Sequence, residues 1–343
     1  MGVCRAGASV LPVMTTVTLS DIEAARDRIA GKIVRTPIVQ SRLLSELAGV
    51  PVHLKLEHRQ TTGSFKLRGA SNAVASLSPE EKRRGVVAAS TGNHGRALAH
   101  AAKLEGIRAV ICMSKLVPEN KVSEIRRLGA EVHIVGKSQD DAQQEVERLV
   151  AHEGLLMLPP FDHMAVIAGQ GTIGLEMLEE VPDTATVAVP VSGGGLAAGI
   201  ATAVKALKPS IKVIGISMAR GAAMRASIDA GRPVPVEELP TLADSLGGGI
   251  GLDNRFTFAI CRNLLDDIVL LSEDEIAAGI NHAYETEREI VEGAGAVGMA
   301  AVLAGKIETS GPLLLLLSGR NVDMGLHRNI VCGTWRDGQE AAS

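Results

Sequence analysis

Two short stretches carry side chains and backbone suited to covalent chemistry. In "TTGSFKLRGA", Lys66 stands between Phe65 and Leu67, after a glycine-serine turn and ahead of a helical pattern. A lysine stripped of water has its pKa lowered by up to ~3–5 units, because burial penalises the charged form. The neutral amine that results is a nucleophile able to form a Schiff base. In "PVSGGGLAAG", Gly193, Gly194 and Gly195 follow the apolar strand pattern "ATVAVP" and precede a helix. Bare backbone N–H groups at a helix start bind anions, and Ser192 to Leu196 therefore read as a phosphate loop. The same letters fit G-x-G-x-x-A, from Gly193 through Gly195 to Ala198. A dinucleotide site, however, needs an acidic residue at the end of the next strand, and "KVIGIS" ends in Ile216 and Ser217. A single phosphate is the better reading.

A Schiff-base lysine with a monophosphate loop points to pyridoxal 5'-phosphate, whose ring takes up the electrons left when a bond at an amino acid's Cα breaks. Such a ring needs partners for its phenolic oxygen and its nitrogen, and the substrate needs a carboxylate seat. "ASTGNHGRA" places Ser90, Thr91, Gly92, Asn93 and His94 where a strand turns into a helix, a seat for a carboxylate, with the Asn93 amide able to donate to the phenolic oxygen. "LLLLLSGRN" ends a strand in Ser318, whose hydroxyl can bond a neutral pyridine nitrogen without protonating it. The electron sink is then weaker, which suits elimination of a β-substituent. Singly, Asn93 reads as a cap, His94 as a packed histidine and Ser318 as a strand-end serine; their joint placement gives them chemistry.

These residues need a scaffold, and strand and helix patterns alternate almost from end to end, as in a parallel sheet covered by helices on both faces. "LSDIEAARDRIAGKI" predicts a helix capped by Ser20, and "PVHLKLE" a strand. "GVVAAS", "RAVICMS" and "AEVHIVG" are strands, separated by the helices "GNHGRALAHAAKLEG" and "PENKVSEIRRLG", the latter begun by Pro118 and ended by Gly129. With "SQDDAQQEVERLVAHEG" they make a compact unit. A second series runs from "GQGTIGLEMLEEV" through "ATVAVPVS", "GGLAAGIATAVKALKP" and "KVIGIS" to "EDEIAAGINHAYETEREI". The "LLLLL" of 313–317 reads as a buried parallel strand. The expected division is a small domain, 85–162, inserted in a large one, 1–84 with 163–343, the ligand lying at the carboxyl ends of the strands.

Composition narrows the partners. The 343 residues suffice for two lobes; 46% are hydrophobic and only 2% aromatic. A net charge of −4 with no basic run argues against nucleic acid, as does the shortage of aromatic platforms. Cys4, Cys112, Cys261 and Cys332 are scattered without metal-ligand spacing, so no metal or disulfide framework is expected and a cytoplasmic location is. The N-terminal "MGVCRAGASVLPVM" is too short and too interrupted for a signal or a membrane span.

In order and spacing, "SFKLRGA", "STGNHGRALA", "AGQGTIGLE", "VSGGGLAAG", "EGAGAVGMAA" and "LSGRNVD" resemble the fold-type II pyridoxal-phosphate enzymes, related to the tryptophan synthase β chain: threonine and serine dehydratases, serine racemase and 3-hydroxyaspartate dehydratase. The wording around Lys66 and Asn93 is most similar to the hydroxyectoine-utilisation dehydratase branch. The resemblance implies an α/β fold of two open, twisted, mostly parallel sheets flanked by helices, with the small lobe inserted in the large one and a cleft between them. It implies a homodimer or homotetramer acting on a small amino acid. It also implies that Lys66 carries the cofactor and takes the Cα proton, that Phe65 stacks beside the ring, that Asn93 holds the ring oxygen, and that Ser192–Leu196 hold the phosphate. Ser318 would meet the ring nitrogen, Glu292 would line the site, and Ser90–His94 would hold the substrate carboxylate.

The activity implied is dehydration of a β-hydroxy amino acid to a 2-oxo acid and ammonia; the alternative is amino-acid racemisation in the same site. Where racemases place a serine to return the proton, this chain has Thr91, a hydroxyl that can serve. Where relatives bind a divalent cation after the strand matching "KVIGIS", it has Ser217 and Ala223, and "ADG" becomes Ala243, Asp244 and Ser245. An end near residue 343, without the regulatory domain of biosynthetic threonine dehydratase, implies a catabolic role. Substrate selectivity is expected from Arg96, His163 and the "DSLGGGIGLDN" loop.

Overall fold

Capping chemistry sets where the elements begin. In the computed structural model, which describes residues 16–338 other than 91 and 118, the first helix runs Leu19–Ile29 and is closed by a capping box. Thr18 Oγ1 accepts from the Asp21 N–H at 3.3 Å, and the Asp21 carboxylate accepts from the Thr18 N–H at 2.8 Å. The cap is therefore Thr18 and not Ser20. Two such patterns overlap here, and the earlier one gains the extra helical bond from Ile22 N–H to Thr18 O. The N-terminal segment with Cys4, and Pro118 as a helix start, lie outside the described residues; the helix after Pro118 is described as Glu119–Arg127, and Gly129 follows it with φ +101°.

Among the described residues, ten strands form two sheets. They are β1 (Ile38–Ser41), β2 (Val52–Lys55), β3 (Val86–Ala89), β4 (Ala109–Met113), β5 (Glu131–Ile134), β6 (Leu156–Met157), β7 (Thr186–Pro190), β8 (Lys212–Met218), β9 (Asp267–Leu271) and β10 (Leu313–Leu316). The larger sheet has the order β1-β2-β10-β7-β8-β9 and the smaller β5-β4-β3-β6. Every pairing is parallel except β1 with β2, so β1 is an antiparallel edge. The leucine run is β10, buried between β2 and β7 and apolar on both faces, as a parallel strand under two helical layers must be. Among the described residues no helix is long and apolar enough to cross a membrane.

Two helical features were not apparent in the sequence. The helix Gly293–Leu303 has every residue from Gly293 to Val302 buried, so it carries no amphipathic period to read. The helix Glu273–Glu285 stops short of the charged "TEREI". There, Glu287 binds His282 at 3.0 Å and Ser41 at 2.5 Å, and Glu289 binds His58 at 2.7 Å, while Arg288 adopts φ +61°. These side-chain bonds pull the backbone out of the helix.

Three helices position the chemistry. Met164–Glu180 lies between Lys66–Ala75 on one side and Gly195–Leu207 on the other. Contact on both sides is backbone to backbone: a Cβ on Gly169 would stand 2.7 Å from the Arg68 carbonyl oxygen, and one on Gly199 would stand 2.3 Å from that of Ile167. Lys66–Ala75 also supplies Leu67, Ala70, Ala73 and Val74 to the core of the smaller sheet, so it touches both halves of the fold.

Beneath it, fully buried Arg68 pairs with Glu57 at 2.7 Å and Glu176 at 2.6 Å, and Lys55 pairs with Glu176 at 2.6 Å. Burial alone would lower the Arg68 pKa, but the two carboxylates outweigh it and the pKa is raised.

Candidate active site

A cleft of about 190 Å³ opens where strand ends of both sheets meet helix starts. Its lining includes Phe65, Lys66, Gly92, Asn93, His94, Ser192, Gly193, Gly194, Gly195, Leu196, Glu292 and Ser318, so the residues singled out from separate motifs converge. Ser90 is not in this lining; its hydroxyl accepts from the Gly95 N–H at 3.0 Å, in the first turn of the helix Asn93–Leu104. Thr91 lies outside the described residues.

Lys66 is the first residue of its helix, where the chain turns at Gly63 with φ +79°. Its Nζ donates to the Pro160 carbonyl at 2.7 Å and sits 5.4 Å from the centre of the Phe65 ring. The residue as a whole keeps some exposure through the cleft, but its amine is enclosed. Burial lowers the amine pKa to about 8, against a smaller upward pull from the Glu292 charge.

Glu292 is buried with Asp244 nearby. Burial, then the Asp244 charge, push its carboxyl up to about 7, with the hydrogen bonds from Asn93 and Asn321 opposing. Asn93 Nδ2 donates to Glu292 Oε1 at 2.8 Å, leaving a second N–H on that amide. His94 Nε2 meets the Leu158 carbonyl at 2.8 Å, so Nε2 carries the proton and Nδ1 is bare. Burial first, and Lys66 second, lower its pKa to about 4. His94 is neutral at ordinary pH. Ser318 Oγ, at the end of β10, donates to the Ala294 carbonyl at 3.2 Å.

The glycine loop opens the helix Gly195–Leu207, with Gly194 as its cap at φ +89°. The first N–H groups of any helix lack intrahelical partners. The loop leaves no room for side chains, since a Cβ on Gly193 would fall 2.4 Å from the Phe161 ring. Phe161 is held by its neighbour: the Asp162 carboxylate accepts from the N–H groups of Arg255, Phe256 and Thr257 at 2.6, 2.9 and 2.9 Å.

Phe161, Pro190 and Ala294, which were not picked out from sequence, complete the lining together with Ser245 and Leu246. One signal was available, because a chain with only four phenylalanines spends two of them, Phe65 and Phe161, on this cleft. Of the expected selectivity residues, Arg96 and His163 stand outside the lining, and the 244–254 loop reaches it through Ser245 and Leu246.

A glycine loop at a helix start, a lysine whose amine pKa is lowered by burial, a spare amide N–H and a hydroxyl at a strand end fit the needs of pyridoxal phosphate. Comparison with known proteins agrees. The family model "Pyridoxal-phosphate dependent enzyme" matches residues 29–319. A Sinorhizobium fredii chain provisionally named a threonine dehydratase is 63% identical over 328 residues, covering 95% of this chain and 99% of its own. The L-threonine ammonia-lyase of Thermotoga maritima is 42% identical over 316 residues, covering 92% of this chain and 78% of its own. Among solved structures, maize serine racemase superposes with a TM-score of 0.87 at 33% identity, covering 93% of this chain and 98% of its own.

Proposed function

Because the chain belongs to the pyridoxal-phosphate dependent enzymes, we propose that this pyridoxal-phosphate-dependent lyase acts on an uncharged β-hydroxy amino acid, L-threonine or L-serine, releasing a 2-oxo acid and ammonia. One observation carries the substrate class. Among the described residues of the cleft lining, Lys66 is the only cationic side chain, and Phe65, Phe161, Pro190, Leu246 and Ala294 make the remaining wall largely apolar. A second substrate carboxylate, as in 3-hydroxyaspartate, would face Glu292 with no arginine or further lysine to meet it.

When bound, the cofactor supplies a ring that takes up the electrons freed at the substrate's Cα. The protein's part is positional and acid-base. Lys66 holds the cofactor and then removes the Cα proton, a role that its amine pKa of about 8 suits. The N–H groups at the start of the helix Asn93–Leu104 seat the substrate carboxylate. Ser192–Leu196 hold the phosphate, Asn93 the ring oxygen and Ser318 the ring nitrogen. Neutral His94 adds no cation that would compete with the Lys66 ammonium. Water leaves the substrate, and the released enamine takes up water to yield the 2-oxo acid and ammonia. The sheet of β3–β6 and its helices, within 85–162, would be the small lobe bearing the carboxylate seat.

The test is ammonia release from L-threonine, L-serine, both L-3-hydroxyaspartate diastereomers and a hydroxyectoine-derived hydroxy amino acid, with Lys66→Ala alongside. Threonine or serine should be turned over, and Lys66→Ala should lose both turnover and covalent cofactor capture. Preference for 3-hydroxyaspartate or the hydroxyectoine-derived acid would overturn the substrate class. Solvent deuterium entering Cα without ammonia would establish racemisation instead.

A further inference from the structure

Asn321 joins every segment that bears on one edge of the cleft, yet it lines nothing itself. Its Nδ2 donates to the Thr62 carbonyl at 3.0 Å and to Asn93 Oδ1 at 2.5 Å. Its Oδ1 accepts from Arg96 at 3.2 Å, and its backbone N–H donates to Glu292 Oε2 at 2.9 Å. The pattern admits one orientation of the amide, since Arg96 can only donate and the Thr62 carbonyl can only accept. Room for that amide is made by Gly63, where a Cβ would lie 2.5 Å from Asn321 Oδ1.

From these contacts we infer that Asn321 is a positioning residue: it fixes which way the Asn93 amide faces, and ties that orientation to the helix Asn93–Leu104 through Arg96. Because Asn321 donates to Asn93 Oδ1, the Asn93 oxygen is turned away and its NH2 group faces Glu292 and the cleft. Without that bond, a flip of Asn93 would set its oxygen against the Glu292 carboxylate and against any oxygen of the bound cofactor. Arg96 extends the chain of contacts toward Glu124, 3.9 Å away on the helix Glu119–Arg127. The inference rests on the reading of Asn93 as the donor to the cofactor's ring oxygen.

The test compares Asn321→Asp and Asn321→Ala with Asn93→Ala and the parent protein. Asn321→Asp keeps the shape and the acceptor for Arg96 but loses both donors, so folding should survive, as a thermal melt checks. Two readouts need no turnover: pyridoxal-phosphate affinity by absorbance titration, and the pH midpoint of the visible band of the loaded protein without substrate. Both Asn321 variants should weaken affinity about tenfold and move the midpoint by about one pH unit, in the direction that Asn93→Ala moves it. Affinity within twofold and an unmoved midpoint, while Asn93→Ala changes both, would overturn the role of Asn321. If Asn93→Ala itself changes neither, the reading of Asn93 fails and the inference with it.

Discussion

At the scale of single residues, burial and the Glu292 charge act on the Lys66 amine in opposite directions, burial the more strongly. The Glu292 carboxyl, near 7, is charged by the time the Lys66 amine titrates near 8, and that charge holds the ammonium form in place. Covalent capture of pyridoxal phosphate by the cofactor-free protein should therefore accelerate as pH rises through about 8. In Glu292→Gln the midpoint should move to lower pH, because only burial then acts on the amine. Capture rates measured across pH check this, and an unmoved or raised midpoint would remove Glu292 from the electrostatics of Lys66. Lys66 was singled out from a short motif, and Glu292 only through the family resemblance. Their mutual influence was not legible, since the two lie far apart in the chain and the effect depends on burial that no local pattern encodes.

At the scale of elements, the helix Thr257–Leu264 is capped from two places: Asn254 Oδ1 accepts from the Phe258 N–H at 2.9 Å, and Asp162 reaches from across the fold to accept from the N–H groups of Arg255, Phe256 and Thr257. Asp162→Ala should cost about 1–2 kcal/mol in urea unfolding, the ordinary worth of a lost cap. Because Phe161 rides on the same anchor, cofactor affinity should fall as well. Loss of stability with unchanged affinity would show that Phe161 holds its place without Asp162. Caps within three residues, such as Ser272 with Glu275, can be read from sequence. A cap from 95 residues away, as between Thr257 and Asp162, cannot. The same limit applies to the helix Gly293–Leu303, whose uniform burial erases the period that identifies its amphipathic counterparts.

At the scale of the whole molecule, the ionic cluster of Arg68, Glu57, Glu176 and Lys55 joins β2, the turn after it, the helix of Lys66 and the helix Met164–Glu180. Arg68→Met should leave Glu57 and part of Glu176 buried without their cation, at a cost of about 3–5 kcal/mol in equilibrium unfolding. A loss below about 1 kcal/mol would mean that Lys55 and water compensate, and that the cluster is not what fixes this junction. The doubly covered parallel architecture was legible from the alternation of patterns and the leucine run. The antiparallel edge β1 was not, because four residues of which only Ser41 is buried carry too little pattern.

The three-helix stack has a further consequence. The helix that Lys66 begins and the helix that the glycine loop opens are both packed on the same middle helix, through carbonyl oxygens pressed against glycine Cα atoms. Close backbone packing fixes the spacing of the two helix starts, and the Lys66 side chain supplies the remaining reach across the cleft. A molecule bridging Lys66 and the glycine loop would therefore meet two helix starts that cannot move apart independently, with only the lysine arm left to adjust to its length.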